Sequence, residues 1–212
     1  FDNSIELESQ LKATSKEYYI KDIQSIIEKA TFTYVRQKKM LGLGHAILTG
    51  ETLIGNNPFA VILADDLCIN SDGNSVMKQM IEVFNKYQCS VVAIEDVPKE
   101  DTNKYGIISG DLIDGSNDTF RVTNMIEKPD PKDTPSNMAI VGRYILTPDI
   151  FEIIKTVKPD KSGEIQITDA LLSQAKQGKV IAYKFKGLRF DCGNVKGYVK
   201  ATNHFAKLQG LI

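Results

Sequence analysis

The chain has 212 residues, 42% hydrophobic and 25% charged, with a formal net charge of −1. That balance is ordinary for a globular protein, and the length can bury roughly 70% of the unfolded surface. The densest basic spot, Arg36-Gln37-Lys38-Lys39, is too short for a nucleic-acid footprint, and no apolar stretch approaches the ~18 residues of a membrane span. The cysteines, Cys68, Cys89 and Cys192, lie far apart with no CxxC spacing. This argues against a zinc site or a disulfide framework and favours a reducing cytoplasm.

In chain order, residues 2–30 read as helical, with apolar sets Ile5, Leu7, Leu11 and then Tyr19, Ile23, Ile26, Ile27. Residues 31–35 are β-prone. Gly42-Leu43-Gly44-His45 reads as a loop feeding a helix over 46–54. Phe59-Ala60-Val61-Ile62-Leu63-Ala64 has the length and β-branched content of a fully buried strand, and it stops at Asp65 and Asp66. An amphipathic helix over 74–87 and an apolar strand over 89–94 complete a βαβ crossover, which implies parallel pairing. Strands follow at 105–109, 120–126 and 139–146, with a hairpin turn at Asp114-Gly115-Ser116-Asn117-Asp118. Thr147-Pro148 predicts a capped helix start, and Thr168 caps a helix that ends before Gly178. Strands over 180–185 and 188–190 and a helix over 195–208 close the chain. The sum is one mixed α/β domain over residues 1–212.

Four patterns carry chemistry. In open α/β sheets ligands bind beyond the carboxyl ends of strands, so Asp65 is placed to hold Mg²⁺, a hard ion suited to oxygen ligands. A strand-end turn explains the same aspartates equally simply. Gly42 and Gly44 permit close backbone approach, by a ligand or within a plain turn; His45 has no evident sequence partner. Glu127-Lys128-Pro129 offers a carboxylate for sugar hydroxyls and an ammonium for phosphate. Neighbours on a regular strand point oppositely, so both serve one ligand only if the backbone turns there. Asp191, in Asp191-Cys192-Gly193, is a second acid at a strand–helix junction, either a metal ligand or a cap.

The order of these motifs is more specific than any one of them. Arg36-Gln37, Gly42-Leu43-Gly44-His45-Ala46, Ala64-Asp65-Asp66, Tyr105-Gly106, Ile126-Glu127-Lys128-Pro129, Gly163-Glu164-Ile165-Gln166-Ile167-Thr168-Asp169 and Asp191-Cys192-Gly193 together resemble the bacterial UTP–glucose-1-phosphate uridylyltransferases, or UDP-glucose pyrophosphorylases. The resemblance spans essentially the whole chain. It implies a Rossmann-like αβα sandwich with a mixed, mainly parallel central sheet. It also implies synthesis of UDP-glucose and pyrophosphate from UTP and glucose 1-phosphate with Mg²⁺, in a homodimer or homotetramer. By resemblance, Gln37 and Gly42 contact uracil, and Gly106 and Gly142 line the sugar side. Glu127 binds glucose hydroxyls, Lys128 holds the sugar phosphate and acts in catalysis with Asp65, and Asp65 and Asp191 ligate the metal. Asp66 receives no role.

The family opens with a strand and a glycine-rich loop of the Gly-x-Gly-Thr-Arg type, then a Pro-Lys-Glu-Met-Leu-Pro segment. Neither occurs in these 212 residues, and Phe1 to Glu8 resembles a stretch inside the family. The expectation is an N-terminally truncated domain with little or no activity by itself and an unpaired sheet edge. Two other readings remain open: another sugar-1-phosphate nucleotidyltransferase, such as a thymidylyltransferase, and a noncatalytic UDP-sugar-binding module.

Overall fold

The computed structural model describes residues 4–212; the start of the first predicted helix, residues 2 and 3, and the Ile23 side chain lie outside the described residues. The contacts divide the chain into two compact units, Phe1–Arg36 and Gln37–Ile212. In the first, α1 (Ile5–Ala13) starts at Ser4, whose hydroxyl accepts the Leu7 N–H at 3.4 Å, and α2 (Tyr18–Ile27) follows. Ile20 is its buried apolar residue among the described ones, while Ile5, Leu7, Tyr18 and Tyr19 are exposed. Residues 31–35 form no strand; β-branched propensity alone does not make one without a partner.

The second unit holds α3 (Gly42–Leu48), α4 (Glu51–Ile54), β1 (Phe59–Ile62), β2 (Asp66–Ile69), α5 (Val76–Tyr87) and β3 (Ser90–Asp96). A 3₁₀ turn at Lys99–Lys104 then leads to β4 (Gly106–Leu112), β5 (Thr119–Glu127) and β6 (Met138–Leu146). The chain closes with α6 (Ile150–Thr156), α7 (Ile167–Ala175), β7 (Val180–Lys184), β8 (Leu188–Asp191) and α8 (Val195–Leu208). The helix expected over 46–54 is two helices, and it begins at Gly42. Thr49 turns its hydroxyl back onto the Ala46 carbonyl at 2.6 Å, and the helix breaks at Thr49-Gly50, since such back-bonding competes with the helical ladder. Helix α6 starts after Asp149, whose side chain makes no capping bond, rather than after Thr147. Thr147 instead meets Ser90 and Gln174 at 3.1 and 3.0 Å.

Six strands form one sheet in the order β1-β6-β3-β7-β5-β4, and β2 pairs with β8 in a separate ribbon. Side chains alternate across β3. Val92 and Ile94 enter the core that α3, α6 and α7 cover, while Val91 and Ala93 enter the core under Val76 and Met80 of α5. All four are fully buried, so an uninterrupted apolar run marks a strand sealed on both faces. This is the αβα layering expected.

The sheet is mixed, but it is not mainly parallel. Among the described strands only β3 and β7 pair in parallel; every other pairing is antiparallel. The βαβ crossover does connect β1 to β3, but β6 lies between them and opposes both. Eight of the nine β6 residues are buried, and a strand that apolar takes the centre. The run at 59–64 also departs from expectation. Strand β1 is an edge, half exposed in an alternating pattern, with Ile62 57% exposed. Its pairing with β6 covers one side, and only Phe59, Val61 and Leu63 reach the core.

That edge sets the site. Along one side of β6, β1 takes Arg143 to Leu146 and β4 takes Ala139. Between them the edge opens at Gly142, where the chain leaves β1 for Asp65 and β2.

Candidate active site

A cavity of about 380 Å³ lies at this opening. Six of the predicted residues line it: Asp65, Gly106, Glu127, Lys128, Gly142 and Asp191. Gln37 and Gly42 do not line it. They sit beside it, joined through Leu43 and Glu164, which do.

The turn carrying Asp65 is fastened from below by β6. Leu63 N–H donates to the Gly142 carbonyl at 2.9 Å. Buried Arg143 reaches back to the Leu63 carbonyl at 3.1 Å and to the Asp66 carbonyl. From the other side, Cys192 N–H donates to the Asp65 carbonyl at 2.7 Å. Strand β6 and the residue that follows β8 thus fix one turn, and the Asp65 side chain remains exposed.

Asp66, which the sequence left without a role, is the structural member of the pair. Its side chain is 7% exposed. One carboxylate oxygen accepts Gly142 N–H at 2.6 Å and the other accepts Arg189 Nε at 2.6 Å. Gly142 is required here because a Cβ would lie 2.6 Å from Asp66 Oδ2 and 2.7 Å from Leu63 Cβ. Its place is the close packing of the turn as much as the cavity wall.

Arg189 is a cavity-lining residue that sequence reasoning missed. It pairs with Asp66, with Glu95 at 2.6 Å and more distantly with Asp191 at 4.0 Å, and its guanidinium lies 5.1 Å over the Tyr105 ring. Burial works against its charge, but the bonds it donates to Asp66 and Tyr105 outweigh that and raise its pKa further above the ordinary value. A signal was available: Leu188-Arg189-Phe190-Asp191 places charges at alternate positions, on one face of a strand.

Asp65 and Asp191 converge. A Cβ on Gly193 would sit 3.0 Å from Asp65 Oδ2 and 3.1 Å from Asp191 Oδ1, so glycine leaves the space between the two carboxylates open. Asp191 is the β2–β8 register partner of Asp66 and also accepts from Gly193 N–H at 3.0 Å and from Tyr105 OH at 3.4 Å. Among the described residues, no group of three or more His, Cys, Asp or Glu could hold a metal by itself. Two carboxylates facing an open space suit Mg²⁺, which keeps waters and completes its shell with phosphate oxygens.

On the opposite wall the chain does turn after Glu127. Strand β5 ends there and Lys128 adopts a left-handed φ of 45°, an uncommon state for a residue with a side chain. Lys128 N–H donates to the Tyr105 carbonyl at 3.0 Å. The turn brings Lys128 Nζ within 3.7 Å of Glu127 Oε1 while leaving its side chain 56% exposed. Glu127 Oε2 accepts the Thr168 hydroxyl at 2.6 Å. Thr168 is therefore not the cap of α7, whose N-cap position is Gln166, but a partner of Glu127. Gly106 makes room for this bond, because a Cβ would lie 3.1 Å from each of its two oxygens. Tyr144 also lines the cavity. Burial, and then the Glu127 charge, push its phenol pKa upward, so it stays protonated.

Gly42 and Gly44 pack against 164–165. A Cβ on Gly42 would meet Glu164 Cβ at 2.9 Å; Gly44 N–H donates to the Ile165 carbonyl at 2.9 Å, and Ile165 N–H to the Leu41 carbonyl at 2.8 Å. The Gly-Leu-Gly and Glu-Ile-Gln motifs are two sides of one contact. Gln37, the one residue of 31–40 that is not exposed, bonds to Gly42 and to His45, so His45 has a partner after all.

Five carboxylates line the cavity, Asp65, Asp66, Glu127, Glu164 and Asp191, against three cations, Lys104, Lys128 and Arg189. Arg189 is already committed to Asp66 and Glu95. A polyanionic ligand entering this cavity needs an added cation.

Comparison with known proteins shows the family. The nucleotidyl transferase family model matches residues 2–207. A UTP–glucose-1-phosphate uridylyltransferase of Pseudomonas aeruginosa is 60% identical over 203 residues, covering 96% of this chain and 72% of that protein. The crystal structure of an apo UDP-glucose pyrophosphorylase superposes with a TM-score of 0.92 at 58% identity, covering 98% of this chain and 76% of that one. A UDP-glucose complex of such an enzyme superposes with a TM-score of 0.86 at 56% identity, covering 97% and 74%. The chain belongs to the nucleotidyl transferase family, among the UTP–glucose-1-phosphate uridylyltransferases.

Proposed function

We propose that the cavity is where UTP and glucose 1-phosphate are converted to UDP-glucose and pyrophosphate. The observation that carries this is the placement of Glu127 and Lys128 on one wall and Asp65 and Asp191 on the other, in a chain of this family. Glu127 keeps Oε1 for sugar hydroxyls because Thr168 occupies Oε2. Lys128 holds the sugar phosphate, whose oxygen attacks the α-phosphorus of UTP as the bond to the β-phosphate breaks. That phosphate is already largely ionised at neutral pH, so no strong base is needed. This agrees with a site built from positioning and charge rather than a nucleophile. Mg²⁺ between Asp65 and Asp191 would supply the positive charge that the acidic lining lacks. Gln37 and Gly42 face the base.

The test is pyrophosphate release by the full-length protein from UTP or dTTP with glucose 1-phosphate, with and without EDTA. UTP turnover that EDTA abolishes is expected. No turnover with either nucleotide contradicts the reading, and equal rates with both contradict the uracil assignment.

A further inference from the structure

A second cavity, of about 540 Å³, opens against the same Tyr105 and Asp191 that line the first. The two cavities also share Lys104 and Arg189, so a common wall separates them. Their charges are opposed. Acids outnumber cations around the first, whereas the second has four cations, Lys104, Arg189, Lys196 and Lys200, against two acids, Asp101 and Asp191.

Two of these cations are already answered. Lys104 pairs with Asp101 at 2.5 Å, and Arg189 pairs with Asp66 and Glu95. Lys196 and Lys200 are exposed and form no ion pair among the described residues. They stand four positions apart on α8, which makes them neighbours on one face of the helix. The start of α8 is firmly seated. Asn194 Oδ1 accepts the Gly197 N–H at 2.8 Å, and Asn194 Nδ2 donates to the Asp191 carbonyl at 3.2 Å. A Cβ on Gly197 would overlap that carbonyl, so glycine lets the helix pack directly on the end of β8. The lysine pair is thus carried at a fixed place beside Asp191.

Two uncommitted ammonium groups on a rigid support suit a compact ligand of high negative charge. Phosphate and pyrophosphate are such ligands; the basic patch is too short for a polynucleotide. A source lies next door, because the reaction proposed above releases pyrophosphate into a cavity with an acid-rich lining.

We propose that the cavity between α8 and Asp191 is a second anion site, which holds pyrophosphate or phosphate without a metal, and that product pyrophosphate passes into it across the shared wall. The passage of product rests on the function proposed above; the binding site does not.

The experiment titrates the full-length protein calorimetrically with pyrophosphate and, separately, with inorganic phosphate. EDTA is present so that Asp65 and Asp191 hold no cation. Wild type, Lys128→Ala and the double variant Lys196→Gln/Lys200→Gln are compared. Wild type should bind pyrophosphate, and more weakly as NaCl is raised. The double variant should bind at least about tenfold more weakly, since its charge-assisted bonds are gone. Lys128→Ala should stay within twofold of wild type. No binding by wild type overturns the site, as does equal binding by the double variant. An equal loss in Lys128→Ala also overturns it, because the anion then sits in the first cavity. Phosphate binding as tight as pyrophosphate assigns the site to free phosphate and overturns the passage of product. A second arm follows turnover of UTP and glucose 1-phosphate with added pyrophosphate. The inhibition constant should rise about tenfold in the double variant while kcat/KM for UTP stays within twofold of wild type. An unchanged inhibition constant overturns the passage of product. If wild type shows no turnover, the proposed function fails, and the titration still decides the site.

Discussion

Two charged clusters meet at the cavity, and they are built on opposite plans. Around Arg189, charge is buried and answered: Arg189 and Asp66 are each 7% exposed and joined at 2.6 Å, with Glu95 and the Gly142 amide completing the set. At the end of β5, Lys128 is 56% exposed and has one long contact, 3.7 Å, to Glu127. A group whose bonding capacity is used by the protein fixes geometry; a group with capacity left over can act on a ligand. The adjacent aspartates repeat the division. Asp66 is buried and saturated, while Asp65 is held by its backbone and free at its side chain. Such a split is expected if catalysis draws on groups preorganised by a satisfied surrounding network.

The contrast can be broken from the saturated side first. Arg189→Met strands Asp66 and Glu95 without a cation. Removing one partner of a buried ion pair typically destabilises by about 3–5 kcal/mol, which a urea titration should register as a lower midpoint at unchanged slope. An unchanged midpoint would mean the cluster is not what holds β2 to β8. Gly142→Ala forces a Cβ against Asp66 Oδ2 and Leu63. Overpacking of this kind costs about 1–3 kcal/mol, again in stability, with a secondary loss of activity as the Asp65 turn shifts. Equal stability of wild type and Gly142→Ala would deny the close packing. The smallest effect is expected at Tyr144, whose protonated hydroxyl is the only group removed by Tyr144→Phe. One neutral hydrogen bond is worth about 0.5–1.5 kcal/mol, so KM for glucose 1-phosphate should rise up to about tenfold with no change in unfolding midpoint. A KM within error of wild type would mean that the Tyr144 hydroxyl makes no bond to glucose 1-phosphate.

Much of the second unit was legible because its signals are local. The 74–87 periodicity became α5, with Ser75 capping it by accepting Lys78 N–H at 3.2 Å. Residues 195–208 became α8 without change. The hairpin at 114–118 formed with Gly115 at positive φ. What could not be read was non-local. Strands β1 and β3 look alike as apolar runs, yet one is an edge and the other is sealed; only the insertion of β6 between them decides this. The site followed the same rule. Glu127, Lys128 and Asp65 stand in recognisable local settings, whereas Arg189, Thr168 and Arg143 act through contacts 41 to 123 residues away along the chain. Short polar residues at helix starts are read as caps from sequence, and Thr168 shows how a tertiary acceptor displaces that use.

The central claim is that the under-partnered charge at the end of β5 acts in the chemistry while contributing little to the fold. Lys128→Ala in the full-length protein, with kcat/KM and unfolding midpoint taken from one preparation, tests it most directly. Loss of a transition-state charge partner should lower kcat/KM roughly 10²-fold or more and leave the midpoint where it was. A fall of less than about threefold, or a midpoint that drops in step with activity, would contradict the account.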